Sequence, residues 1–396
     1  MRCDAGARIG VGHLVRCVAL AEELLGRGVE VVFLGDLGGL PWAAAQLGGR
    51  GLALLPAAAP EDLAAQAAVL GLDAVVLDSY DLPPGTGAGL RRAGIRVLAI
   101  VDGDRRGLDA DVYLDQNLGA ETRYPERDRA EGRVLAGAAY TLLRDAVRRL
   151  PRGGGGGSGG GGQGEADGGS RDDGDAVRRW SRGEGDGGPE VVRDGGDGGP
   201  EVVRDGGDGG PGAGWGGGGG VRGRERGEVP RVLCFFGGTD AARVMPGWLG
   251  ALAATGVPYL GTAIGGAEVV APDGAPIEVI PPTDRLPLLM ARADLVVTAA
   301  GSAIWELLYL GVPAALTWVA GNQLIGYEAV VGRGLAAGLG TDPRAAVPLL
   351  RRLIADPAAR GPYGRRGRDL VDGRGRERVA DALLDLTGHR RPAARA

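Results

Sequence analysis

From residue 29 onward the chain alternates short apolar runs with stretches of helical length. "VEVVFLG", "DAVVLDSY", "IRVLAIVD" and "DVYLDQN" are nearly continuous aliphatic runs, and residues 61–70 and "TGAGLRRAG" lie between them. Strands that are apolar throughout, each separated by a helix-length segment, predict a parallel sheet covered on both faces. The same grammar resumes with "RVLCFFGGTD", a helix beginning near Pro246, "VPYLGTAIG", "IEVIPP", a helix over 284–292, "ADLVVTAAGS", a helix over 302–310 and "VPAALTWV". Pro246 suits a first helical position and Gly311 a C-terminal stop. The prediction is α/β: two doubly wound parallel-sheet domains, residues 1–150 and 230–372, followed by a C-terminal helix and tail over 373–396.

Between the two domains the pattern fails. Residues 151–229 are dominated by Gly and Asp, and "DGGPEVVRDGG" occurs twice in succession, at 186–196 and 197–207, with a third start at Asp208. Each unit offers two valines as apolar material, too little to offset the entropy of ordering it. The spacing also lacks the G-G-x-G-x-D pattern of calcium-binding repeats. A flexible linker is expected here.

Composition narrows the function. The 396 residues carry a formal net charge of -5, and the basic residues are dispersed arginines with no lysine, which argues against a nucleic-acid binder. Three separated cysteines, Cys3, Cys17 and Cys234, support neither a disulfide framework nor a zinc site. No 18-residue apolar stretch and no leader pattern occurs. The expectation is a cytoplasmic protein, monomeric and not inserted in a membrane, that needs no metal and no cofactor.

Open α/β sheets bind ligands beyond the carboxyl ends of their strands, and four places there carry chemistry. "DAGARIGVGH" runs from Asp4 through Gly10 and Gly12 to His13, but it is neither a dinucleotide fingerprint nor a phosphate loop. His13 stands where a helix begins, and Leu14, Val18, Ala21 and Leu25 give that helix a buried stripe. A helix N-terminus disfavours a positive charge, so an imidazole there suits a general base; a plain helix cap or gap-filler is the competing reading. The other histidine, His389, lies in an Arg- and Pro-rich tail. In "LDSYDL", Asp78 and Tyr80 are expected near the cleft on opposite sides of the strand, with turn chemistry and packing as alternatives. The glycines of "FFGGTD" and the hydroxyl of Thr239 suit an anion, or else form an ordinary loop. Ser302 opens the helix of "AGSAIWELLYLG", a natural anion site. Glu306 lies four residues on, too far for a capping box; there it complements the helix dipole or meets a ribose.

In this order the four places resemble a known family. "DAGARIGVGHLVRCVALA" is similar to the N-terminal signature of the nucleotide-sugar hydrolase of pseudaminic acid biosynthesis and its spore-coat polysaccharide relatives. "LDSYDL", "LDQN", "YTLLR", "FFGGTD" and "AGSAIWELLYLGVP" with "NQ" continue the match outside the linker. The C-terminal motif is shared with the wider set of two-domain glycosyltransferases that includes MurG. The first strand is shorter than in that family, with Met1 directly before Arg2, and Ala138 replaces a frequent proline.

The resemblance implies a GT-B fold, two Rossmann-like domains facing a central cleft, and metal-independent hydrolysis of a UDP-linked 2,4-diacetamido-2,4,6-trideoxy sugar to UDP and free sugar. It implies His13 as the base that activates water, with Tyr80 and Asn322 at the sugar. It assigns the diphosphate to Gly237, Gly238, Thr239 and Ser302, the ribose to Glu306 and the uracil to backbone near Thr283. Asp4, Gly10, Gly12, Arg16 and Gln323 complete the expected substrate contacts. Two other readings of the same fold stand beside hydrolysis: an inverting glycosyltransferase in which His13 deprotonates an acceptor hydroxyl, and a non-catalytic protein that binds nucleotide sugars.

Overall fold

The structure, a computed structural model, describes residues 1–6, 9–124, 132–152, 229–237, 240 and 242–388. The chain divides into two units, 1–156 with 221–396, and 157–220. The second unit, the Gly-rich repeats and His389 lie outside the described residues.

The first half is a seven-stranded sheet of order β3-β2-β1-β4-β5-β6-β7. Its strands are β1 (Arg2–Cys3), β2 (Val32–Leu34), β3 (Ala53–Leu55), β4 (Ala74–Asp78), β5 (Arg96–Ile100), β6 (Val112–Asp115) and β7 (Arg133–Ala136). Every pairing is parallel. The connections carry α1 (Gly12–Gly26), α2 (Pro41–Gly48), α3 (Leu63–Val69), α4 (Gly85–Arg92) and the short α5 (Ala120–Arg123), and α6 (Asp145–Arg148) follows β7. The strands foreseen from the apolar runs are present, and β4 and β5 bury four of their five residues.

The strand cut short in the sequence is present and central. β1 has two residues, and it is held from both sides, Arg2 opposite Leu34 and Leu77 and Cys3 opposite Asp78. The N-terminal amine donates to Val32 O at 2.7 Å, and Leu34 N donates to Met1 O at 2.8 Å. Two strong neighbours thus supply the order that two residues cannot generate alone. At β1 the strand order reverses, since β2 lies on one side and β4 on the other, and a crevice opens between the β1 and β4 carboxyl ends.

The second half repeats the design with six parallel strands in the order β10-β9-β8-β11-β12-β13. These are β8 (Arg231–Phe235), β9 (Leu260–Ile264), β10 (Ile277–Ile280), β11 (Leu295–Ala299), β12 (Ala314–Thr317) and β13 (Ala337–Gly338). The helices are α7 (Met245–Ala253), α8 (Leu286–Arg292), α9 (Ala303–Leu310), α10 (Leu324–Gly332), α11 (Pro343–Ala355), α12 (Pro357–Leu370) and α13 (Gly375–Thr387). Pro246 stands in the first turn of α7, and Gly311 ends α9 in the left-handed region at φ 71°. Here the reversal falls between β8 and β11, so this crevice is flanked by Phe236 and Gly237 after β8 and by the start of α9.

The last helix returns to the first half. Val379, Ala380, Ala382 and Leu383 of α13 join the core of Leu14, Val18, Leu98 and Leu114, and Arg376 meets Glu22 at 3.1 Å and Asp145 at 2.5 Å. Docking requires Gly375, because a Cβ there would lie 2.3 Å from Thr141 O and 2.4 Å from Thr141 N. Backbone cannot yield as a side chain can. The substitution Gly375→Ala is therefore expected to destabilise the protein by about 1–3 kcal/mol, read as a lower denaturant midpoint, while Gly250→Ala, with open space at its Cβ, serves as the matched control.

Candidate functional site

α1 brings His13, Arg16 and Cys17 onto one face, at i, i+3 and i+4, and that face lies over the crevice between β1 and β4. There the fully buried Asp78, last residue of β4, receives all three. His13 Nδ1 is 2.6 Å from Asp78 Oδ1. Arg16 Nη2 donates to the same oxygen at 2.6 Å and Arg16 Nε to Oδ2 at 2.6 Å, and the Cys17 thiol donates to Oδ2 at 3.6 Å.

The other edge of Arg16 meets a second carboxylate. Nη1 donates to Asp102 Oδ1 and Nη2 to Asp102 Oδ2, both at 3.0 Å. Asp102 follows β5, the neighbour of β4, and it also accepts from Tyr80 Oη at 2.5 Å on Oδ2 and from Asn117 Nδ2 at 3.0 Å on Oδ1. The ring of Tyr80 stands edge-on to His13 at 4.8 Å between centroids, with the Arg106 guanidinium 4.8 Å from its own centroid.

Charge fixes the histidine tautomer. Burial alone would push the Asp78 carboxyl up, but the charge of Arg16 and the hydrogen bonds from Arg16 and His13 outweigh it and hold the group below its ordinary value. Asp102 is likewise raised by burial and lowered further by Arg16, Tyr80 and Asn117, ending well below the carboxylate range. An ionised carboxylate only accepts, so His13 Nδ1 carries a hydrogen toward Asp78, and the neutral tautomer that fits this contact is the one with its lone pair on Nε2. The two Nη2 hydrogens of Arg16 are already given to Asp78 and Asp102, which leaves its 3.2 Å approach to His13 Nδ1 as a contact without a hydrogen bond. Tyr80 is raised by burial and by Asp102 beside it, so it stays a neutral phenol.

From the other half, α9 presents its N-terminus to the same space. A Cβ on Gly12 would lie 3.2 Å from Ser302 Oγ, so the starts of α1 and α9 nearly touch. Neither helix is capped by a side chain, and both aim partial positive charge at the cleft. The start of α7 differs: Asp240 Oδ1 and Oδ2 accept from Val244 N and Met245 N, both at 3.1 Å. Burial raises the Asp240 carboxyl despite these bonds.

These groups line one cleft of about 1000 Å³. Asp4, Gly10, Gly12, His13, Arg16, Tyr80, Gly237, Thr283, Ser302, Glu306, Asn322 and Gln323 are all on its wall; Gly238 and Thr239 lie outside the described residues. Several of them have protein partners. Asp4 is tied to Asp36 N at 3.0 Å and to Arg2 at 2.7 Å, and Gly10, at φ 80°, exchanges hydrogen bonds with Gly6 of 2.7 and 3.1 Å. Thr283 Oγ1 accepts from Arg285 N at 3.2 Å, and Gln323 Oε1 accepts from Val319 N at 3.0 Å. Glu306, 4 % exposed, accepts Arg144 Nε at 2.9 Å and Nη2 at 2.8 and 3.0 Å. Asn322 is exposed, and its hydrogen bond to Tyr80 across the cleft draws that phenol's pKa down in part.

Three outcomes differ from the sequence reading. Asp78 and Tyr80, expected on opposite sides, serve one cluster: β4 ends at Asp78, and residues two apart share a face. Asp102, which no motif marks, joins the cluster; its signal is an acid just after an apolar strand, two residues beyond the level of Asp78 on the strand beside it. Arg144, the last residue of "YTLLR", proves to be the partner of Glu306. Among the described residues no three His, Cys, Asp or Glu side chains converge to hold a metal ion, and no helix is long and apolar enough to cross a membrane.

Two parallel-sheet α/β halves facing a cleft constitute the GT-B fold, and comparison with solved structures agrees. MurG of Acinetobacter baumannii superposes with a TM-score of 0.57 at 16% identity, over 97% of this chain and 99% of that one. The UDP-GlcNAc 2-epimerase of Neisseria meningitidis, bound to UDP-GlcNAc, gives 0.58 at 10% identity over 97% and 100%. In sequence, the UDP-N-acetylglucosamine–N-acetylmuramyl-(pentapeptide) pyrophosphoryl-undecaprenol N-acetylglucosamine transferase of Clavibacter michiganensis subsp. michiganensis is 33% identical over 153 residues, 36% of this chain and 42% of that protein. The chain thus matches less than half the length of this curated relative. No protein-family profile matches it.

The lowered Asp78 and Asp102 carboxyls predict an acid-side loss of stability. A group whose folded pKa lies below its unfolded value of about 3.9 stabilises the fold fully above that value and loses the contribution as pH falls through the folded one. Unfolding free energy should therefore decline progressively below about pH 5. The decline should be shallower in Asp102→Asn, measured by urea titration at stepped pH; equal slopes would contradict the assignment.

Proposed function

We propose that this protein transfers a glycosyl group from a UDP-linked sugar to an acceptor hydroxyl, with inversion at the anomeric carbon. The observation that carries the reading is His13. Its Nδ1 is engaged by Asp78, which leaves Nε2 as the ring nitrogen that can meet a substrate proton, and it lies at the start of α1 facing the uncapped start of α9.

On this reading the acceptor O–H gives its proton to His13 Nε2 as its oxygen attacks C1. The bond between C1 and the β-phosphate oxygen breaks, and UDP leaves with the electron pair. Asp78 offsets the charge that the imidazole gains. Ser302 and the first amides of α9, with the Gly237–Gly238–Thr239 turn, meet the charge that grows on the diphosphate. Glu306 keeps lone pairs for the ribose beside its bond to Arg144, backbone near Thr283 takes the uracil, and Tyr80, Asn322 and Gln323 face the sugar. Arg16 and Asp4, with their charges committed to protein partners, act by holding the wall in place. One attack at C1 inverts its configuration. A cleft of about 1000 Å³ stands at the upper end of single-ligand pockets, roughly 300–1,000 Å³, which leaves space for a donor and an acceptor together.

A second reading rests on the N-terminal stretch "DAGARIGVGHLVRCVALA", whose resemblance is to a hydrolase of a UDP-linked 2,4-diacetamido-2,4,6-trideoxy sugar. The geometry of the base is the same, with water as the acceptor. Incubation with a panel of UDP-sugars, with and without sugar and lipid-alcohol acceptors, separates the two. UDP release that requires an acceptor supports transfer, and release without one supports hydrolysis; binding of UDP with no release from any donor would overturn both. In either case His13→Gln is expected to lower kcat by about 10²- to 10⁴-fold while UDP affinity by calorimetry stays unchanged.

A further inference from the structure

We propose that Asp102 is a positioning residue for the base, the group that makes His13, Arg16 and Tyr80 a single unit. The proposal rests on His13 acting as the base, and it concerns a residue that neither the sequence motifs nor the reaction itself calls for.

The donors around Asp102 require a carboxylate. Each oxygen of Asp102 accepts two donors: Oδ1 takes Arg16 Nη1 and Asn117 Nδ2, and Oδ2 takes Arg16 Nη2 and Tyr80 Oη. All four are groups that only a carboxylate satisfies at once. An asparagine at 102, in either orientation of its amide, would turn an –NH2 toward two donors and lose two of the four bonds. The bonds in question are the ones that set the plane of the Arg16 guanidinium.

That plane matters because Arg16 is shared. Its Nε and Nη2 edge grips the carboxylate that holds His13, and its Nη1 and Nη2 edge grips Asp102. The Nη2 atom belongs to both edges, so a shift at Asp102 is felt directly at Asp78 Oδ1, the atom that also meets His13 Nδ1 at 2.6 Å. Tyr80 is joined to the same point from the cleft side: with its hydrogen given to Asp102, its oxygen faces Asn322 and the substrate as an acceptor only. Charge is shared as well. With a neutral imidazole, Asp78, Asp102 and Arg16 sum to one negative charge, which becomes zero when His13 takes the proton; without Asp102 the same step would build a net positive charge in a buried site.

The test uses the full chain. Because it has only two histidines, labelling with 15N-histidine yields two ring systems, of which His13→Gln identifies one. In Asp102→Asn the His13 ring signals should move away from those of the wild type, kcat should fall by about 30-fold or more, and the donor KM should stay within about 3-fold. A merely structural role would not split kcat from KM in this way. Tyr80→Phe should lower kcat by less, and the double variant should be no worse than Asp102→Asn alone, since residues in one network are non-additive. Additive losses, or unchanged ring signals, would overturn the proposal. Should Asp102→Asn fail to fold, Asn117→Ala removes one donor from Oδ1 and leaves the charge intact; it should move the ring signals in the same direction with a kcat loss of several-fold, and unchanged signals would overturn the proposal equally. The ring signals need no substrate, so they decide the positioning role even if no donor is turned over, an outcome that would count against the proposed reaction alone.

Discussion

The site depends on one guanidinium held between two carboxylates. Arg16 gives one edge to Asp78 and the other to Asp102, with every one of these bonds between 2.6 and 3.0 Å. A charge buried this deeply is tolerated only because it is fully paired, and removal of one partner of such a pair costs about 3–5 kcal/mol since the other is left stranded. Arg16 cannot then be partly engaged: α1, the end of β4 and the loop after β5 take their places together. The ion pairs add little net stability compared with apolar packing of the same volume. They give geometry, and geometry is what a catalytic base requires. His13 enjoys a fixed tautomer because its partner Asp78 is itself immobilised from behind.

The two halves solve different electrostatic problems with the same topology. In the first, the crevice at the strand-order reversal is filled with paired side-chain charge, two carboxylates around one guanidinium, beside His13. In the second, the equivalent crevice offers backbone dipoles instead, at an α9 start that no side chain caps. The α7 start beside it carries Asp240 on its amides, so on the proposed reading a diphosphate would sit toward α9 rather than α7. The Arg144–Glu306 pair joins the halves next to that point, buried on both sides at 6 % and 4 % exposure. The spacing between His13 and the start of α9 is thereby fixed by an ion pair as well as by the close approach of Gly12 to Ser302.

Local pattern carried much of this, and the failures share a cause. β4, β5, β8 and β11 are legible because each is a continuous apolar run, and the helix at His13 is legible from its glycine and the buried Leu14, Val18 and Ala21, although Leu25, expected on the same stripe, is exposed. β1 is not, because its order comes from β2 and β4 rather than from its own two residues. The return of α13 to the first core is a contact over more than 350 positions, to which no window of sequence is sensitive. Asp102 sits in "VDGD", which reads as turn chemistry; its role follows only once β4 and β5 are known to be neighbours. Glu306 read as a lone first-turn acid because its partner, Arg144, lies in the other half. Residues whose function is imposed by a neighbour far along the chain leave little local trace.

On the proposed reading, transfer and hydrolysis differ in what reaches the base. His13, held by Asp78, would take a proton from whichever hydroxyl reaches Nε2, and water is always present. Selectivity for an acceptor must therefore come from occupancy: a bound acceptor displaces water from the base and supplies an oxygen already aligned with C1, a gain in effective concentration of about 10⁵ M or more. Tyr80 is 40 % exposed and Asn322 is exposed, so the base end of the cleft is open to a second molecule rather than sealed around a single water. Apolar side chains at the same cleft, Ile9, Leu40, Trp42 and Ile325, would exclude water once covered. On the proposed reading a covered site shields the reacting centre and gives a transferase its fidelity, so an open cleft suits a second molecule that covers it.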